Sequence, residues 1–116
     1  MQERRETKRI RTALFVRFDV SDDEQLHGGS FTQDVSMGGA RLLSPLRLKE
    51  NMRLDLNIDI PNDPDMAQAE GHVRWVCPEP MTDENGNSMF PVGVEFTYLD
   101  RQDRAYLKDF LSQEIR

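Results

Sequence analysis

Five cationic side chains, Arg4, Arg5, Lys8, Arg9 and Arg11, crowd the segment "ERRETKRIR" at the start of the chain. Arginine presents a planar fork of donors that grips a phosphate bidentately or meets the O6/N7 edge of guanine, and its plane stacks on a base. Arg5 and Arg9 have the spacing RxxxR. Further on, "DVSMGG" supplies Asp34, Ser36 and Gly39 in the spacing DxSxxG. On a strand, period-two alternation puts Asp34 and Ser36 on one face. A carboxylate there accepts from guanine N1–H and N2–H₂, and the hydroxyl serves a neighbouring polar edge. Gly38 and Gly39 permit positive φ and a close approach of a ligand to the backbone. Arginines for the acceptor edge and phosphates, with a carboxylate for the donor edge, form a set suited to a guanine nucleotide.

The bulk of the chain must hold that set in place. With 116 residues, 37% of them apolar and 31% charged, it reads as one soluble domain with a modest core. The longest apolar run falls well short of the ~18 residues a membrane span needs. The lone Cys77 rules out an internal disulfide and suits a reducing compartment, so the chain reads as cytoplasmic without membrane insertion. Net charge is −6, and residues 1–11 contribute five basic and two acidic side chains, hence +3, leaving −9 for the remainder. An acidic body repels polyanions, which disfavours broad nucleic-acid binding while leaving room for a focused anion site near the start.

Alternation of apolar and polar residues predicts six strands. They cover 12–20, 31–36, 40–44, 53–60, 67–77 and 89–99. "SDDEQLHGGS" at 21–30 reads as a hairpin loop, and 78–88 as a connection turned by Asn85-Gly86. In the second strand Phe31 and Val35 should oppose Thr32, Asp34 and Ser36. In the fifth, Val73, Trp75 and Cys77 should share the inner face. Asp100 is a good N-cap for a helix whose stripe is Tyr106, Leu107, Phe110, Leu111 and Ile115. The expected fold is an all-β-dominated, six-stranded antiparallel barrel with a C-terminal helix. Its parts are a flexible basic arm over 1–11, a barrel over 12–99 and a helix over 100–116.

The joint pattern resembles the PilZ domain, a bacterial receptor family for the second messenger cyclic di-GMP. "ERRETKRI" looks like the family's RxxxR segment, "DVSMGGARL" like its DxSxxG turn, and "VGVEFTYLD" like its last strand leading into the helix. The resemblance implies a barrel with a terminal helix, no catalysis, no cofactor, and a ligand held between the arginines and the barrel surface. Arg5 and Arg9 would bind guanine and phosphate, while Asp34, Ser36, Gly38 and Gly39 would wall the site. Arg4, immediately before RxxxR, implies an intercalated pair of ligand molecules. The arm is expected to order on binding and to relay occupancy to an effector protein. Two other readings stay open: a PilZ-like interaction scaffold without nucleotide, and a small nucleic-acid-binding barrel. Monomer and dimer are both compatible with the sequence.

Other conspicuous residues have plainer readings. Gly93, between Val92 and Val94, marks a bulge or close backbone approach and is placed near the ligand. Trp75 is read as core and Cys77 as a buried hydrophobe. His27 and His72 lack ligand-spaced companions for zinc, and "DENGN" at 83–87 is a turn rather than a calcium loop. Asp34 and Ser36 could also cap backbone N–H groups in a turn, a role compatible with ligand contact.

Overall fold

The structure, a computed structural model, describes residues 9–114; Arg4, Arg5 and Ile115 lie outside them. Seven strands precede one helix: β1 (Phe15–Val20), β2 (Asp23–Ser36), β3 (Gly39–Ser44), β4 (Arg53–Ile58), β5 (Ala67–Val76), β6 (Met81–Thr82), β7 (Ser88–Leu99) and α1 (Arg101–Glu114). The sheet runs β3-β2-β1-β4-β5-β7-β6, and β3 also pairs with β7. That last pairing closes six strands into an antiparallel barrel and leaves no open edge among them. The expected barrel and terminal helix are therefore what forms.

Alternation explains the core. Leu14, Val16, Phe18 and Val20 point inward from β1 and its lead-in, and Leu54, Leu56, Ile58 and Ile60 do so from β4 and its exit; all are buried. Asp100 caps α1, its side chain accepting from Gln102 N at 3.1 Å and its carbonyl from Arg104 N at 2.8 Å. The helix buries Leu107 and Leu111 in the barrel core, with Phe110 packed beside them. Asn62 Nδ2 donates to Tyr106 O at 3.3 Å, and Gln68 N donates to Asp103 Oδ2 at 3.2 Å, so α1 docks against the β4–β5 connection and the start of β5. Burying a leucine such as Leu107 contributes about 1.5–3 kcal/mol.

The structure corrects the sequence reading at several points. Residues 23–30 are not a loop: β2 begins at Asp23, and Ser21-Asp22 alone make the turn from β1. The connection at 78–88 contains β6, which pairs with β7 across the "DENGN" turn. There the Asp83 carboxylate accepts from Asn85 N and Asn87 N, each at 2.8 Å, and Gly86 takes a φ of 84°. The backbone donor of Asn87, foremost, holds the Asp83 carboxyl below the usual aspartate value.

Two departures concern phase rather than extent. In β2 the register slips between Thr32 and Asp34, a bulge at Gln33. Thr32 is consequently buried, Phe31 is 58% exposed, and Val35 points inward while Asp34 faces outward. In β5 the register slips between Val73 and Trp75, which makes Arg74 the extra residue. Val73 stays in the core, but Trp75 turns out of it and is 37% exposed. A bulge places two residues against one and so reverses the alternation beyond it. Cys77, past the same bulge, is half-buried rather than buried.

Candidate functional site

The backbone of Ile10 forms an isolated antiparallel bridge with Val35, with N···O distances of 2.8 and 2.9 Å in the two directions. This short pairing lays the end of the basic segment beside β2. It brings Arg9 to Asp34, whose Oδ1 accepts from Arg9 Nη1 at 2.5 Å across a sequence separation of 25. Both side chains are reachable by water, at 50% and 20% exposure. Such an exposed pair contributes roughly 0–1 kcal/mol and is readily exchanged for a better partner.

Ser36 and the glycines form the β2–β3 turn. Ser36 Oγ accepts from Gly38 N at 3.2 Å and donates to Gly39 O at 3.4 Å, so the hydroxyl braces the turn. Ser36 is buried, and it does not share an open face with Asp34 as simple alternation predicts. Phe96 N donates to Gly38 O at 2.8 Å, which ties the turn to β7. Gly39 is required by close approach: a Cβ there would lie 2.2 Å from Val94 O. Positive φ is not the reason, since Gly86 is the glycine in that region among the described residues.

Beside this turn lies a recess of about 390 Å³, within the range usual for small-molecule sites. Arg9, Ser36, Gly38 and Gly39 line one part of it. Arg74, Trp75, Gly93, Val94 and Glu95 line the rest. Asp34 does not line the recess and reaches it through Arg9. Gly93 pairs with Trp75 on β5 and with Arg41 on β3. A Cβ on Gly93 would fall 2.2 Å from Trp75 Nε1, so the glycine is the floor on which the indole lies. The Arg41 guanidinium stands 5.5 Å from the centroid of that ring, a cation–π distance. Arg74 Nη1 donates to Glu95 Oε1 at 2.6 Å, and His72 Nε2 is 3.3 Å from the same oxygen.

The structure thus brings Arg9, Asp34, Ser36, Gly38, Gly39 and Gly93 to one locality, while Arg4 and Arg5 lie outside the described residues. Sequence reasoning missed Trp75, Arg74 and Glu95. The available signal was Gly93 itself, since a strand glycine invites a large neighbour across the sheet. The site offers guanidinium forks, an aromatic face, backbone at close range and two carboxylates. That is chemistry for holding a phosphorylated planar ligand.

A family model described as the PilZ domain matches residues 3–113 of this chain. The PilZ domain with c-di-GMP of YcgR from Escherichia coli superposes with a TM-score of 0.67 at 17% identity, covering 97% of this chain and 92% of that one. The Bacillus subtilis inhibitor of motility, MotI/DgrA, gives 0.69 at 17% identity, covering 94% of this chain and 50% of that chain. The PilZ domain of CeSA from a cellulose-synthesizing bacterium gives 0.56 at 17% identity, with coverages of 94% and 96%. The chain spans about half the length of MotI/DgrA, and at these identities the likeness is one of fold. No curated protein sequence matches it at a significant level.

Proposed function

The chain belongs to the PilZ domain family, and on that footing we propose that it is a receptor for cyclic di-GMP, a binding module without catalysis or cofactor. The observation that carries the reading is the Arg9–Asp34 pair at the edge of the recess. It joins the RxxxR segment to the DxSxxG turn, the two halves of a guanine-nucleotide site. In this reading Arg5 and Arg9 take phosphate oxygens and the O6/N7 edge, with Arg4 admitting a second ligand molecule. The Asp34 carboxylate accepts from guanine N1–H and N2–H₂. Gly38, Gly39 and Gly93 let the ligand approach the backbone, and Trp75 offers a face for a base. A hydrogen bond to a charged group contributes about 1.5–3 kcal/mol, more than the exposed ion pair it replaces. The wrapped arm then presents a new surface to an effector protein in the cytoplasm.

Isothermal calorimetry with cyclic di-GMP tests this. Saturable heat is expected, with two ligands per chain if Arg4 acts as assigned. Heat equal to dilution would leave only the scaffold or nucleic-acid readings in its place. Arg9→Ala is expected to remove most binding with an unchanged melting temperature, because the side chain is half exposed and outside the core. Asp34→Ala is expected to cost more affinity for the guanine ligand than for its adenine counterpart. Equal losses for both would show that Asp34 does not read the base.

A further inference from the structure

Arg74 has no place in either motif, yet it lines the same recess as Arg9. The β5 bulge puts it there. Because Arg74 is the extra residue between Val73 and Trp75, it and the tryptophan both face outward beside Gly93. A regular strand would have sent one of them inward. Its guanidinium is held by Glu95 alone among the described carboxylates, at 2.6 Å. The pair is open to water, at 60% and 44% exposure, so solvent screens it and separating it costs little.

We propose that Arg74 is a further phosphate-binding residue of this site, exchanged from Glu95 to the anionic ligand, and that Glu95 sets the affinity by competing for it. The inference rests on the reading of the recess as a cyclic di-GMP site and extends it to residues on β5 and β7. A phosphodiester takes two donors of one guanidinium and gains a charge-assisted, bidentate contact in exchange for an exposed ion pair. His72 Nε2 lies 3.3 Å from the same carboxylate oxygen and stays beside Glu95 when Arg74 leaves. The Glu95 charge also repels an incoming phosphate within a Debye length, so it lowers affinity twice over. Arg9 and Arg74 are then equivalent devices: each is held by a carboxylate across a weak bond, and each is released by the ligand.

Calorimetric titration of the whole chain with cyclic di-GMP decides the matter. Arg74→Gln is expected to weaken binding roughly tenfold and to make it less sensitive to salt, while Arg74→Lys retains part of the affinity. Glu95→Gln is expected to tighten binding by about threefold or more, with the gain reduced in the Arg74→Gln background to the part that comes from relieved repulsion. Melting temperatures of these variants should match that of the parent, since both side chains are exposed. If the parent chain binds and Arg74→Gln binds equally well, the inference is overturned while the receptor reading stands. Weaker binding by Glu95→Gln would overturn it too, because the carboxylate would then be serving the ligand. A parent chain that gives no heat removes the receptor reading and this inference with it.

Discussion

Arg9, Asp34, Ser36 and Gly39 form a constellation whose types and spacings together, RxxxR followed by DxSxxG, pointed to anion and guanine chemistry. What each does was less legible. Ser36 is buried and braces the turn through Gly38 N and Gly39 O. Gly39 is there because β7 passes too near for a Cβ. Trp75 was misread as core, and it is the residue whose removal is most informative beyond the motifs. Base–aromatic stacking contributes about 1–3 kcal/mol per base. Trp75→Ala should therefore weaken cyclic di-GMP roughly five- to a hundredfold, with little change in melting temperature. A variant that binds as the parent does would show that no base rests on the indole.

The six barrel strands could be read from alternation and the terminal helix from its cap and stripe, whereas β6 and the phase within a strand could not. The bulges at Gln33 and Arg74 leave composition unchanged and act only through pairing with β3 and β7, which no local pattern reports. They are nonetheless what turns Asp34 and Trp75 outward. The same holds for α1: its stripe was visible, but its contact with the β4–β5 connection was not. There the Asp103 carboxyl is pushed above the usual aspartate value of 3.8, first by burial and then by the neighbouring Asp63. The native state thus holds this proton to higher pH than the unfolded chain. The resulting stability is present below 3.8 and lost as pH rises through the raised value. Asp63 Oδ2 is buried without a hydrogen-bond partner among the described residues. Asp63→Asn supplies a donor and removes the repulsion. It should raise stability at pH 7 by up to about 1 kcal/mol, a gain that fades as acid protonates Asp103. Thermal melts of both proteins across pH 3 to 7 would check the direction, and a gain independent of pH would contradict the pairing.

The charge imbalance noted in the sequence acquires a location once the barrel is closed. Asp19 on β1 faces Asp55 on β4, and Asp55 faces Glu70 on β5, so three exposed carboxylates stand in one transverse row. Like charges directly opposite destabilise a sheet, each by roughly 0.2–1 kcal/mol. Asp55→Asn relieves two such contacts and should raise the melting temperature by about 2–4 °C at low ionic strength. The gain should shrink in salt. Adjacency of this kind depends on strand order, and nothing in a linear sequence says that β1 lies between β2 and β4. Among the described residues no helix is long and apolar enough to cross a membrane. The single tryptophan of the chain lies on the recess floor instead of the core, and this gives the protein an optical property of its own. Trp75 is 37% exposed already, so thermal denaturation should shift its emission less than it would for a core indole, while a nucleobase laid on the ring should quench it. The fluorophore that would ordinarily report unfolding would then report occupancy of the proposed site.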